Sequence, residues 1–112
     1  MKLLGTRASI KKASLQKKWE ELIKAGLEGL KENPWDAGVL SEMGRASEEQ
    51  GYDESQVEYL KQALDADTED EVANRLLGRA YARIGEYQEA IMCFNRVLKA
   101  KGGKDEEALK AL

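Results

Sequence analysis

The chain has 112 residues and a formal net charge of −3, with 42% hydrophobic and 35% charged residues. This length suffices for one domain with a core, and no apolar run approaches the roughly 18 residues that a membrane span needs. One cysteine and no histidine exclude an internal disulfide and the commonest general base and metal ligand, so we expect no catalysis, metal or other cofactor. We also expect a cytoplasmic location, because no signal peptide follows Met1 and a lone cysteine suits a reducing compartment.

The charge is distributed unevenly along the chain. Residues 1–18 carry six basic residues and no acidic one, whereas residues 19–112 carry all 21 acidic residues. A basic N-terminal arm of this kind could contact nucleic acid or a membrane surface. No aromatic residues are interleaved with these charges, which by themselves give only nonspecific attraction. We therefore favour a solvated first helix or a basic linker over a nucleic-acid contact.

Seven segments have the apolar spacing of helices. Between the first two, no glycine or proline marks a turn, so one helix from Ser9 to Glu32 is an alternative to two. Thr68, in the sequence TEDE, is predicted to cap a helix. Gly85 is predicted to end one with positive φ, and Trp35 to pack at a junction between hairpins. The predicted helices are 3–15, 18–32, 36–50, 53–66, 69–84, 87–100 and 104–112.

The sequence repeats with a period of 34 residues. A shift by this length places Gly44 on Gly78 and Gly51 on Gly85 without any insertion. Each unit contains two predicted helices. We therefore divide the single predicted domain, 1–112, into a degenerate first hairpin at 1–34, a second at 35–68, a third at 69–102, and a capping or truncated helix at 103–112.

Two glycines fall inside predicted helices, where each costs about 1 kcal/mol relative to alanine. Gly78 lacks a Cβ, and we expect this to let a bulky residue of the paired helix, Phe94 or Ala90, lie against its backbone. Gly44 is expected to have the same role one repeat earlier. Cys93, beside Phe94, is interpreted as a small buried hydrophobic residue.

These features together resemble the tetratricopeptide repeat (TPR) family, whose unit is a 34-residue helix–turn–helix. The resemblance covers residues 19–101 well and the two ends poorly. It implies an all-α, right-handed α-solenoid of about three repeats plus a C-terminal capping helix. The residues that carry it are Leu77-Gly78-x-x-Tyr81, Gly85-x-Tyr87-x-x-Ala90-x-x-x-Phe94 and Val97-Leu98.

The resemblance implies a scaffold that binds a peptide or a partner protein in a concave groove lined by the first helix of each hairpin. Family members that clamp acidic C-terminal tails use basic and amide side chains from three successive first helices. This sequence does not reproduce that clamp, since the matching positions are Arg7, Lys11, Glu42, Val72 and Leu76.

An arginine row is the main candidate feature of the groove. The row consists of Arg75, Arg79 and Arg83 at four-residue spacing. Like charges at this spacing in a helix cost a few tenths of a kcal/mol per pair. One hypothesis is that the row holds an acidic peptide through arginine–carboxylate forks. The alternative is internal pairing with Glu42, Glu48 and Glu49. The predicted ligand-binding residues are Arg45, Arg75, Arg79, Arg83, Ser41 and Lys11.

Two further functions stay open from the sequence. The weakly matching N-terminal hairpin and the C-terminal helix could pair with other copies, which would make a self-assembling structural module and a homo-oligomer. The basic arm could serve a nucleic-acid-associated adaptor, which we rank last.

Overall fold

The computed structural model describes the backbone of residues 2–112 and the side chains of residues 8–112. Within this part of the chain all regular structure is helical, and none of the helices is long and apolar enough to cross a membrane. Every predicted helix is present, with ends shifted by at most two residues. The helices are α1 (Lys2–Leu15), α2 (Trp19–Glu32), α3 (Ala37–Gln50), α4 (Asp53–Ala66), α5 (Glu71–Arg83), α6 (Tyr87–Ala100) and α7 (Glu106–Ala111).

The first six helices pair along the chain into three hairpins, α1 with α2, α3 with α4, and α5 with α6. Each hairpin packs on the next, and α7 packs on α6. The first helices of successive hairpins are also neighbours, since α3 contacts both α1 and α5. The result is an α-solenoid about 41 Å long and 22–25 Å across. The boundaries between repeats at 34, 68 and 102 stay a prediction.

The core follows the joints between hairpins. One cluster of buried residues, which includes Leu22 and Met43, joins the first hairpin to α3. A second, which includes Leu60 and Leu77, joins the second hairpin to the third. A third joins α6 to α7 through Phe94, Val97 and Ala108. Each hairpin therefore buries its apolar side on a neighbour, as stacked repeats require.

A turn at residues 16–18 separates α1 from α2, so the prediction of two helices is confirmed and the single helix from Ser9 to Glu32 is wrong. Lys17 lies in the left-handed region with φ of 55°. The Lys18 amide donates to the Ala13 carbonyl oxygen over 2.8 Å and the Lys17 amide to that of Ser14 over 3.1 Å. This is the hydrogen-bond pattern that commonly ends a helix at a glycine.

The close-packing role of the helical glycines is confirmed. A Cβ placed on Gly78 would lie 2.8 Å from Cε2 of Phe94, and one on Gly44 would lie 2.5 Å from Cδ2 of Leu60. Gly26 makes a third contact of this kind, with Met43 Sδ 2.5 Å from its hypothetical Cβ. In each of these three contacts the two helices pack this tightly because the facing backbone has no side chain.

Two local predictions are wrong. The N-cap of α5 is Asp70, whose side chain accepts from the Ala73 amide over 3.0 Å, while the Thr68 hydroxyl donates to the Leu64 carbonyl oxygen. An aspartate competes well for this position because its carboxylate also interacts favourably with the helix dipole. Trp35 is 62% exposed and is not a junction residue of the core.

Candidate functional site

An open cavity of about 640 Å³ lies between α1 and α3. Its apolar lining includes Ile10 and Val39, which are almost fully buried, and the more exposed Leu15. Polar and charged side chains of both helices and of the N-cap of α3 line it as well, together with Gly38. They are Lys11, Ser14, Asp36, Glu42 and Arg45. The cavity thus offers an apolar surface beside hydrogen-bond donors, the combination that ligand pockets typically show.

Arg45 links the two walls of this cavity. Its Nη2 donates to Ser14 Oγ on α1 over 2.5 Å and to Glu42 Oε2 on its own helix over 3.1 Å. The side chains of Arg45 and Glu42 are 44% and 36% exposed. A solvent-exposed pair of this kind contributes at most about 1 kcal/mol, so a carboxylate from a ligand can compete for the guanidinium group.

Arg75 is in a different situation, because three carboxylates surround it. Asp105 accepts two hydrogen bonds, of 3.0 Å from Nη1 and 2.7 Å from Nη2, in a bidentate fork. Glu107 accepts a further bond from Nη1 and Glu71 one from Nη2, each over 2.8 Å. The fork with Arg75 lowers the pKa of Asp105 to about 2, and the same contacts raise the pKa of Arg75.

Arg79 bridges α3 and α7 across α5. Its Nε and Nη2 donate to the two carboxylate oxygens of Glu107 over 2.5 and 3.0 Å, and its Nη1 reaches Glu48 Oε1 over 3.3 Å. The bond from Arg79 is the main reason that the pKa of Glu107 is lowered. Arg83 donates to the other oxygen of Glu48 over 3.1 Å and also to Asp53 and Gln56.

The arginine row is therefore internally paired, but mostly not as predicted. Glu48 is a partner of Arg79 and Arg83, as one sequence hypothesis has it. Glu42 instead pairs with Arg45 on its own helix, and Glu49 is in none of the ion pairs found among residues 8–112. The partners that the sequence did not indicate are Asp105 and Glu107 of α7, together with Glu71, Asp53 and Gln56.

Ser41 has to be removed from the predicted groove surface. Its side chain is only 5% exposed, and its hydroxyl oxygen has no hydrogen-bond partner among the side chains and backbone that the structure describes. Lys11 and Arg45 remain as predicted candidates that line an open cavity, and the structure adds Ser14 to them. A sequence signal for Ser14 existed only in its position one turn after Lys11, on the same side of α1.

A model of the tetratricopeptide repeat matches residues 52–112 of the chain. This is more than half of its length, and it includes the third hairpin and α7. The chain belongs to the tetratricopeptide repeat family. Among curated proteins, none is a significant match by sequence.

Solved TPR structures have the same fold as this chain. The first TPR of Spaghetti (RPAP3), bound to the HSP90 peptide SRMEEVD, is 19% identical, with coverage of 97% of this chain and 86% of that one at a TM-score of 0.90. The second TPR domain of human RPAP3, in complex with the HSP70 peptide SGPTIEEVD, is 20% identical, with coverage of 100% and 92% and a TM-score of 0.90. The TPR2B domain of yeast Sti1, in a complex with pHsp70, is 20% identical, with coverage of 99% and 93% and a TM-score of 0.87.

Within this TPR fold, the positions that form a carboxylate clamp in other family members have different surroundings. Leu76 is buried, Val72 is half exposed, and Glu42 is an acid paired with Arg45. Lys11 lines the cavity, and the side chain of Arg7 lies outside the described residues. Among the described clamp positions, Lys11 is thus the one basic side chain that lines the cavity.

Other features of the TPR solenoid have structural explanations. Asn74 is fully buried and its side-chain amide donates to the carbonyl oxygens of Thr68 and Asp70 over 2.9 and 2.8 Å, which fixes the connection between α4 and α5.

Cys93 is buried in the core, as predicted, and this burial raises the pKa of its thiol to about 11. No cluster of three or more potential metal ligands occurs in the described part of the chain.

Proposed function

We propose that this chain is a protein-interaction module that binds an acidic peptide segment in the groove formed by α1, α3 and α5, with the cavity between α1 and α3 as its main subsite. The observation that carries the proposal is the cavity itself, in which Lys11, Ser14 and Arg45 line an apolar surface of Ile10 and Val39. The peptide complexes of RPAP3, whose peptides both end in Glu-Glu-Val-Asp, support the same use of the fold.

The chemistry of the cavity specifies the ligand further. A carboxylate can take hydrogen bonds from the guanidinium of Arg45, the ammonium of Lys11 and the hydroxyl of Ser14. An aliphatic side chain next to that carboxylate would cover the apolar surface. We therefore infer a peptide in which an acidic residue is adjacent to a leucine, isoleucine, valine or methionine.

The test is an NMR titration of the ¹⁵N-labelled chain with two synthetic nonapeptides that differ only in having two glutamates or two lysines beside a central leucine. We expect the acidic peptide to shift the amide signals of Lys11, Ser14 and Arg45. The double variant Lys11→Gln/Arg45→Gln should weaken its binding at least tenfold, because charge-assisted hydrogen bonds contribute about 1.5–3 kcal/mol each.

Lys12→Gln is the matched control, since Lys12 is an exposed lysine of the same helix that does not line the cavity. It should leave the affinity within twofold. Equal binding of the basic peptide, or an equal effect of Lys12→Gln, would contradict the proposal.

Self-association and nucleic-acid binding stay predictions from the sequence. A concentration-independent monomer mass in light scattering would contradict the first, and the absence of salt-dependent binding to single-stranded or duplex nucleic acid the second.

A further inference from the structure

We propose that α7 is a displaceable internal ligand, and that the surface beneath it binds an acidic helix of a partner protein. The α7-binding surface consists of Arg75 and Arg79 on α5 and of Phe94 and Val97 on α6. It is distinct from the cavity between α1 and α3, so the proposal does not rest on the function proposed above.

The contacts of α7 are those that a bound acidic peptide would make. Asp105 forms a bidentate fork with Arg75, and Glu107 forms one with Arg79 while also accepting a bond from Arg75. Parallel N–H···O bonds of this kind are specific for a carboxylate in a defined orientation. The surface therefore recognises two carboxylates two residues apart at the start of a helix.

The apolar part of the contact is small. Ala108 is the residue of α7 that is buried, and it meets Phe94 and Val97. The two large apolar residues of the segment, Leu109 and Leu112, are 56% and 52% exposed. Because one buried methyl group contributes little, the carboxylate forks account for most of the specificity of docking.

The connection between α6 and α7 allows the helix to leave. Gly102 and Gly103 both have positive φ, of 63° and 81°, and a Cβ on either would meet nothing within 4 Å. In the docked state the Gly103 amide donates to the Leu98 carbonyl oxygen over 2.7 Å. Once that bond breaks, two adjacent glycines give this connection wide conformational freedom.

Release of α7 would expose Phe94 and Val97. Arg75 would keep Glu71 as a partner and Arg79 would keep Glu48, but both would lose their bidentate carboxylate and could accept that of another ligand.

The partner segment that fits has the pattern of α7 itself, an Asp at the N-cap, a carboxylate two residues later and an alanine after it. Glu106, between the two docking acids, is turned away, since its side chain is 82% exposed and pairs only with Lys110 of the same helix among the described residues. The acids at 105 and 107 are thus part of the recognition pattern and the acid at 106 is not.

The experiment uses the full chain and an N-acetylated peptide with the sequence of residues 104–112 as the probe. Side-chain Nε–H signals of Arg75 and Arg79 are followed by NMR in the unaltered chain, in Glu107→Gln and in Glu106→Gln. A tethered helix competes at an effective concentration in the millimolar range. We therefore expect the peptide to bind Glu107→Gln at least tenfold more tightly than the unaltered chain.

Glu106→Gln is the matched control, because it removes the same charge from the same helix without touching either arginine. It should bind the peptide as weakly as the unaltered chain. The proposal is overturned if the peptide moves neither arginine signal in any of the three proteins, or if all three bind it equally. The Lys11→Gln/Arg45→Gln variant should be unaffected, which separates this surface from the cavity.

Discussion

Lys17 occupies the place in the first hairpin that Gly51 occupies in the second. The two residues are 34 positions apart, and both end the first helix of their hairpin in the left-handed region, with φ of 55° and 77°. The hydrogen bonds also match, since the Lys18 amide donates to Ala13 and the Tyr52 amide to Ser47, each over 2.8 Å. The first turn thus keeps the geometry of the repeat without its glycine, and Lys17 bears the conformational strain.

Replacement of this lysine by glycine should stabilise the chain. The left-handed conformation costs an L-residue about 1–2 kcal/mol, and the larger entropy of glycine in the unfolded chain cancels part of that gain. We expect Lys17→Gly to raise the free energy of unfolding by about 0.5–1 kcal/mol in urea titrations. Lys18→Gly is the control and should not stabilise, because Lys18 already has a φ of −94°. Equal effects of the two substitutions would contradict this explanation of the turn.

The contact between Gly78 and Phe94 predicts that replacement of this glycine lowers the stability of the chain. Gly78→Ala gains about 1 kcal/mol of helix propensity, but its Cβ would lie 2.8 Å from the Phe94 ring, and overpacking of this kind costs about 1–3 kcal/mol. We expect a net loss of stability, which Phe94→Leu in the same chain should partly restore. Gly38→Ala, whose Cβ would meet only Asp36 Oδ1 at 3.4 Å, should not destabilise. A stabilised Gly78→Ala variant would show that the helices can move apart.

Glu42 competes with any acidic ligand for Arg45. Its carboxylate accepts a bond of 3.1 Å from Arg45 Nη2 at the edge of the cavity. We expect Glu42→Gln to raise the affinity for the acidic nonapeptide about two- to tenfold, because the repulsion between two carboxylates is removed. Isothermal titration calorimetry measures the change. An unchanged or lowered affinity would show that Glu42 positions Arg45 for binding instead.

The docking of α7 should depend on pH. Arg75 holds the pKa of Asp105 at about 2, and Arg79 lowers the pKa of Glu107. Because both values are depressed in the folded state, these groups stabilise docking fully above the ordinary carboxyl pKa of about 4. That contribution is lost as the pH falls through the folded-state values. We expect the Ala108 methyl signal, which reports contact with Phe94, to move towards its unfolded position between pH 4 and pH 2.

The Glu107→Gln variant checks the assignment of this transition. This substitution should weaken the docking of α7 already at neutral pH and reduce the shift of the Ala108 methyl signal on acidification. In Glu106→Gln the methyl signal should change with pH as it does in the unaltered chain. A methyl signal that is constant down to pH 2 would contradict an electrostatic attachment of α7.

Much of the fold could be predicted from the sequence because its determinants are local or strictly periodic. Apolar spacing indicated all seven helices, and the 34-residue shift that pairs Gly44 with Gly78 indicated how they combine. The turn at Lys17 lacked any local signal, and only the periodic alignment with Gly51 and Gly85 marks it. Thr68 was the predicted cap of α5, and Asp70 has this position instead because the helix begins at Glu71.

The candidate site was less predictable. Arg45 and Lys11 were found by their place in the repeat, but Ser14 and the cavity depend on the distance between α1 and α3. Ser41 follows the same periodic pattern and is buried, because the pattern specifies a helix face and not the depth of each side chain below the surface.

The sequence by itself determined the helices, their pairing into hairpins and the spacing of the arginine row, since these follow from hydrogen bonding and apolar burial within about 34 residues. Only the tertiary structure decided which carboxylates meet those arginines. Asp105 and Glu107 lie 28–32 residues from their partners, and Glu48 lies 31–35 residues away on the other side. Ion pairs have no fixed spacing in sequence, so the stacking of the repeats determined which carboxylates pair with these arginines.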